Sequence, residues 1–323
     1  MNELPTFSDV LQAAERLEGH AIKTPLIRSD FIDEQVNKKV WFKPECNQKV
    51  GAFKYRGAYN RLASMSLNER KKGVVAFSSG NHAQGVSRAA KELGISAIIV
   101  MPSDAPAVKV RGVIADDAEI VVYDRPTESR EEIASGIAQR DGRIIVPSYD
   151  DPHIIAGQGT VGLEIMQSGI DFDSLITCIG GGGLCAGINL AVQELSPKTK
   201  VFGAEPLDYN DHQKSFETGK RIALKELPET LCDALMTPTP GVLTWEINKQ
   251  YLSGVFAVSD QQCLDAMKIA HENLNVILEP GGAVAMAALL AGELKSYADV
   301  ETICIVLSGG NVDPKVLKQA LYS

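Results

Sequence analysis

Four consecutive glycines, Gly180 to Gly183, follow the apolar run Ser174–Ile179 and open the helix-like stretch LCAGINLAVQEL. Glycine has no side chain to fend off a ligand, so backbone N–H groups there can turn inward. With the N-terminus of the following helix they can hold a phosphate. The competing use is a tight strand-to-helix turn, although four glycines in a row spend chain entropy that a turn alone does not require. The spacing is neither GxGxxG nor GxxxxGKS, so a dinucleotide or a P-loop nucleotide is not the expected occupant. A second loop, Ser78-Ser79-Gly80-Asn81-His82, stands between the run Val74–Phe77 and a helical segment. Its N–H groups suit a carboxylate; a plain helix cap built from Ser and Asn is the alternative. A third, Ser308-Gly309-Gly310-Asn311, follows Thr302–Leu307. Three polar glycine loops at the carboxyl ends of strands are the layout of a small-molecule site in an α/β protein.

The elements that must position these loops are legible from periodicity. Short β-branched runs read as buried parallel strands at Val74–Phe77, Ala97–Met101, Glu119–Tyr123, Arg143–Pro147, Ser174–Ile179, Val201–Glu205 and Thr302–Leu307. Helical spacing falls between them at His82–Leu93, Ser129–Gln139, His153–Met166 and Gln261–Asn273. Such alternation predicts parallel sheets covered by helices on both faces. Ser8 is the expected cap of the first helix, with Gly19 beyond its end. Ser259 and Gln262 fit a capping box. The strands from Val74 to Pro147 form one run. This predicts a small domain over 66–147, and a larger one assembled from 1–65 and 148–323. A cleft between two such sheets is a natural ligand site.

Composition narrows the function further. The chain has 323 residues, 45% apolar and 23% charged, with a formal net charge of -9. That length suits two domains and can bury a large core without disulfides. A nucleic-acid binder needs a basic surface, so that class is not expected. No apolar run reaches membrane-helix length and the N-terminus lacks a secretory pattern, so no membrane partner is expected. The six cysteines form no CxxC pair. Buried free thiols in a cytoplasmic protein are the simplest account.

The segment KVGAFKYRGA (Lys49–Ala58) brings these features together. With FSSGNHAQG (Phe77–Gly85), AGQGT (Ala156–Thr160), GGGGL (Gly180–Leu184) and LSGGNVD (Leu307–Asp313), the chain resembles the serine racemase and serine/threonine dehydratase family, 3-hydroxyaspartate dehydratases included. These are pyridoxal-phosphate enzymes of the tryptophan-synthase-β fold type (fold type II). The likeness runs from about Thr24 to Asp313 in order and spacing. It implies two doubly wound open-sheet domains, the larger holding the cofactor and the smaller facing the substrate.

The resemblance implies that Lys54 carries pyridoxal phosphate as a Schiff base and moves the Cα proton. An amine in that role needs a lowered pKa or a proton acceptor. It further implies that Phe53 packs on the cofactor ring and Asn81 bonds its phenolic oxygen. Gly180, Gly181, Gly182 and Gly183 would bind its phosphate, and Ser308 would face its ring nitrogen. A serine there favours a neutral nitrogen and prompt loss of a β-hydroxyl. Ser79 matches the acid/base on the opposite cofactor face; binding the substrate carboxylate is its other possible role. Ser79, Gly80, Asn81 and His82 would receive that carboxylate. Arg130 would meet a second carboxylate, or be a solvated helix charge. In AEPLDYND, Glu205, Asp211 and the Tyr209 carbonyl fall on the family's site for Mg2+, Ca2+ or Mn2+, a hard-oxygen set. An acidic surface loop is the alternative there. The histidines are not expected to cluster on a metal.

The implied reaction is dehydration of L-serine, L-threonine or 3-hydroxyaspartate to a 2-oxo acid and ammonia. The alternatives are racemisation of serine or a non-catalytic binding protein. Relatives are usually homodimers. Some departures stand out. Ala52 replaces a common Ser. The segment Cys232–Gly241 replaces an A-D-G stretch and is one residue longer, so substrate preference can differ. Asp116 sits where a tyrosine would stack on ATP, which argues against ATP activation. The chain ends soon after LSGGNVD, so a regulatory domain with isoleucine feedback is not expected.

Overall fold

The computed structural model describes residues 3–322. Ten strands lie among them: β1 (Ile27–Arg28), β2 (Lys39–Pro44), β3 (Val74–Phe77), β4 (Ala97–Pro102), β5 (Glu119–Tyr123), β6 (Ile144–Ile145), β7 (Ser174–Cys178), β8 (Lys200–Pro206), β9 (Leu252–Val258) and β10 (Thr302–Leu307). They form a six-stranded sheet, β1-β2-β10-β7-β8-β9, and a four-stranded sheet, β5-β4-β3-β6. Every pairing is parallel except the antiparallel edge β1–β2. This is the α/β architecture that the alternating pattern predicts.

Burial explains the strand composition. Every residue of β7 is buried, and so are five of the six in β10. Strands buried on both faces read as continuous apolar runs. The largest apolar cluster joins these central strands to helix Pro280–Ala291, itself apolar nearly all round. A second cluster packs β3 and β4 against helices Lys54–Ala63 and Asn81–Leu93. Helices Pro152–Met166 and Gly183–Leu195 cross almost backbone to backbone. A Cβ on Gly159 would stand 2.8 Å from the Gly187 carbonyl oxygen, so only glycine permits the approach.

Several local expectations need correction. The first helix, Phe7–Leu17, is capped by Thr6 and not Ser8; Thr6 and Asp9 form the capping box. Strand β6 keeps only two of its five expected residues. Pro147 has no N–H to offer, and Arg143 turns its guanidinium to Ser96 instead. Strands β2 and β9 were not foreseen. Lys39 and Lys43 interrupt the apolar pattern of one, and Ser253-Gly254 that of the other. The capping box of Ser259 and Gln262 is present, and all six cysteines are free and buried.

Candidate active site

One cleft between the two sheets is lined by Phe53, Lys54, Ser79, Gly80, Asn81 and His82, together with Arg130, Gly180 to Gly183 and Ser308. Residues spread over 250 positions of sequence meet there because the loops at the carboxyl ends of β3, β7 and β10 converge.

The lysine-bearing turn is stitched to the loop after β10. Phe53 N donates to Ser308 O at 3.1 Å, and Gly310 N donates to Gly51 O at 2.9 Å. Asn311 Nδ2 donates to Val50 O at 2.7 Å. Val50 is held at φ 57, a left-handed conformation that a β-branched residue rarely adopts. Lys54 begins the next helix. Its Nζ donates to Ser148 O at 2.9 Å and lies 5.2 Å from the Phe53 ring centre. Burial disfavours its charged form and lowers its pKa to about 8, a shift that Cys178 only weakly opposes.

The glycine loop is held from behind. Gly181 O accepts from Thr244 Oγ1 at 2.6 Å and from Gly241 N at 3.3 Å. Gly182 O accepts from Asn248 Nδ2 at 3.2 Å and from Ala186 N at 2.9 Å. With these carbonyls engaged on protein donors, the N–H groups at the start of helix Gly183–Leu195 are left for a ligand. A Cβ on Gly181 would collide with the Tyr149 ring, and Leu235 packs over Gly180. Gly182 has φ 94, which favours glycine. This cradle fits a phosphate.

On the β3 side, His82 Nε2 lies 3.0 Å from Val146 O, so that nitrogen carries the hydrogen. Burial and the nearby Lys54 lower its pKa to about 3, and the ring is neutral at working pH. Asn81 Nδ2 donates to Glu279, while its Oδ1 accepts from Asn311 Nδ2 at 2.8 Å. Lys109 Nζ stands 2.6 Å from Asp233 Oδ2 and 3.3 Å from Glu279 Oε2. Ser308 is buried, and its hydroxyl meets Gly281 O at 3.5 Å and the Cys178 thiol. The Ser79 hydroxyl is half-buried and makes no hydrogen bond to a described residue. Arg130 lies 5.5 Å from the Phe77 ring centre and donates to Glu131 at 2.8 Å. Asp116 is buried and paired with Arg88 at 2.7 Å.

The expected metal residues lie elsewhere. Glu205 is the last residue but one of β8, Tyr209 sits in the turn Leu207–Tyr209, and Asp211 starts helix Asp211–Thr218. All three are buried. His212 joins Glu205 and Asp211 in a group whose ligand atoms lie within 4.8 Å of one another. His212 was not among the expected ligands of that site. Sequence reasoning also missed Thr244, Asn248, Tyr149, Glu279 and Lys109. Glu279 precedes Pro280 at a helix start and reads as a cap; only its buried position reveals a link to the cleft.

Comparison with known proteins places the fold. Residues 17–309 match the family model described as pyridoxal-phosphate dependent enzyme. The chain is 40% identical to the serine racemase of Schizosaccharomyces pombe, over 96% of this chain and 95% of that protein. It is also 40% identical to the L-threo-3-hydroxyaspartate ammonia-lyase of a Pseudomonas species, over 96% and 97% respectively. The solved structure of maize serine racemase superposes with a TM-score of 0.94 at 38% identity, covering 99% of this chain and 98% of that one. The chain belongs to the pyridoxal-phosphate dependent enzymes of fold type II.

Proposed function

We propose that the protein is a pyridoxal-phosphate dependent ammonia-lyase that eliminates water from a β-hydroxy amino acid to give a 2-oxo acid and ammonia. The observation that carries this is the Lys54 amine, part-buried, depressed to about 8, and lining one cleft with a helix-start cradle of four glycines. Relatives at 40% identity include an L-threo-3-hydroxyaspartate ammonia-lyase and a serine racemase, which favours serine, threonine or 3-hydroxyaspartate as substrate.

The bound cofactor supplies an electron sink for the pair left at Cα. The chain's own groups do the rest. N–H groups of Gly180 to Gly183 hold its phosphate, Phe53 packs on its ring, Asn81 meets its phenolic oxygen and Ser308 its ring nitrogen. Lys54 would hold it covalently and, once the substrate's own amine has displaced it and left it free, would take the Cα proton, for which a depressed amine pKa is suited. Ser79, Gly80, Asn81 and His82, at the start of a helix, receive the substrate carboxylate. Arg130 is available for a second carboxylate. Water is lost from the substrate; water then displaces ammonia from the released enamine. Residues 66–147 are the substrate-side domain in this reading, and 1–65 with 148–323 the cofactor domain. Glu205, Asp211 and the Tyr209 carbonyl hold a divalent ion such as Mg2+, Ca2+ or Mn2+. The unpartnered, buried oxygens of Asp211 support that assignment. A homodimer, located in the cytoplasm and not dependent on ATP, completes the proposal; the Asp116–Arg88 pair speaks against adenine stacking there.

Serine racemase is the second reading, favoured by the unengaged Ser79 hydroxyl across the cleft. Incubation with L-serine, D-serine, L-threonine and the 3-hydroxyaspartate isomers, with oxo acid, ammonia and residual enantiomers measured, separates the two. D-serine appearing faster than pyruvate favours the racemase. Borohydride reduction followed by peptide mass spectrometry must place the cofactor on Lys54; a label on another residue sinks both readings.

A further inference from the structure

The cluster behind the glycine loop is not made of oxygen donors alone. His212 follows Asp211 on helix Asp211–Thr218 and is fully buried. Its Nδ1 lies 3.4 Å from Asp211 Oδ2 and 3.9 Å from Glu205 Oε2. Yet neither ring nitrogen has a hydrogen-bond partner, and neither does either Asp211 carboxylate oxygen. Apart from the 3.4 Å contact between Nδ1 and Oδ2, these buried polar atoms are unmet, which is costly unless something absent from the chain satisfies them. The other edge of the ring lies against Gly182, where an added Cβ would stand only 2.9 Å from Nε2. Nδ1 is therefore the edge that faces the carboxylates.

Ligands around one divalent ion sit about 2.0–2.6 Å from it, so pairs of them are about 3–4 Å apart. The two Nδ1-to-oxygen separations fall in that range. Glu205 keeps its place through N–H groups of His212 and Gln213, which donate to its two oxygens at 3.3 Å and 2.7 Å. Those bonds leave lone pairs on both oxygens.

We propose that His212 is a ligand of this centre through Nδ1, so that it prefers a divalent transition ion such as Mn2+ to Mg2+ or Ca2+. The preference follows from donor chemistry: Mg2+ and Ca2+ are hard ions that take oxygen ligands, whereas Mn2+, although at home among oxygens, is a first-row transition ion that also binds mixed nitrogen and oxygen sets. The inference rests on reading Glu205 and Asp211 as a cation site, and adds a nitrogen donor to it.

Mn2+ is both probe and test. Holoenzyme stripped with a chelator is titrated with MnCl2, free Mn2+ being read by electron paramagnetic resonance and Mg2+ then added as competitor. Pulsed spectra are recorded on ordinary protein and on protein with histidine labelled in heavy nitrogen. The expected result is one Mn2+ per chain with imidazole-nitrogen modulation that changes on labelling. His212→Ala should weaken Mn2+ binding about tenfold or more, and Mg2+ binding much less. Bound Mn2+ without histidine modulation overturns the nitrogen ligand while leaving the cation site standing. Equal loss of both ions in His212→Ala overturns the selectivity. Failure to bind any Mn2+ overturns inference and cation site together. Should His212→Ala not fold, the labelled wild-type spectrum still decides.

Discussion

A lysine drawn partly out of water is costly to charge, and Lys54, part-buried in the cleft wall, forms no ion pair with a described residue to offset that cost. The depression to about 8, against an ordinary 10.5, makes the amine neutral above about pH 8. Capture of pyridoxal phosphate by the apoprotein should therefore speed up through pH 8 and level off by about pH 9. The growth rate of the visible absorbance band measures this; a rate still climbing at pH 10 contradicts a depressed amine. Linkage has the matching sign. Between about 8 and 10.5 the unfolded chain holds a proton that folded Lys54 has lost, so apoprotein stability should rise across that window. His82, depressed to about 3, adds no inflection at neutral pH. Ser79 is the other residue with an assignable face. Ser79→Ala should cut racemisation and D-substrate turnover by about 100-fold, while elimination from an L-substrate falls much less. Equal losses, read by chiral chromatography against oxo-acid release, would mean that Ser79 only binds carboxylate.

At the scale of elements, the glycine loop is a device of two helices. Helix Gly183–Leu195 provides the N–H groups, and helix Val242–Tyr251 turns the carbonyls away through Thr244 and Asn248. Asp150 holds that second helix by accepting from Val242, Leu243 and Thr244 N–H groups. Thr244→Val removes one bond of about 1 kcal/mol and should weaken cofactor affinity about fivefold, with substrate KM little changed. Gly181→Ala should do worse, because its methyl meets the Tyr149 ring. Equilibrium dialysis of pyridoxal phosphate ranks the variants; an unchanged affinity in Thr244→Val would show that the carbonyls need no pin.

The loop itself was plain in the sequence, since glycines after an apolar run have few other uses. Its supports were not. Thr244 and Asn248 lie more than 60 positions downstream in an ordinary-looking helix, and nothing local marks them. Strands β2 and β9 escaped for the opposite reason, because tertiary contacts excuse residues that local pattern forbids. Lys43 can be buried in β2 because Glu164 Oε2 stands 2.5 Å from its Nζ and Thr24 O accepts from it at 2.7 Å. Lys54 could be picked out only by resemblance, one lysine being like another until its burial is known. His212 was legible as a neighbour of Asp211, but its aim at Glu205 depends on how β8 and helix Asp211–Thr218 meet.

Two buried ionic networks do different work in the whole molecule. Arg56 binds Glu45 through Nε at 2.7 Å and Glu164 through NH1 at 2.7 Å, and Lys43 shares Glu164. These groups join β2, helix Lys54–Ala63 and helix Pro152–Met166. Lys109 instead spans the cleft. It comes from helix Ala107–Ala115, on the four-stranded side, and meets Asp233 and Glu279 on the six-stranded side. Removing one partner of a buried ion pair costs about 3–5 kcal/mol, because the other charge is left stranded. In Arg56→Met that loss should appear as a lower global unfolding midpoint. In Lys109→Met, Asp233 can turn to solvent, its side chain being 34% exposed, and only Glu279 is stranded. If 66–147 is a unit of its own, the penalty should appear as its detachment. Hydrogen exchange in Lys109→Met should then accelerate at the cleft-facing segments Ser78–His82 and Ala107–Ala115, with β7 and β10 unchanged, and substrate KM should rise more than kcat falls. Uniform acceleration across both sheets would mean that the two sheets open only together, and that the ion pair serves the global fold.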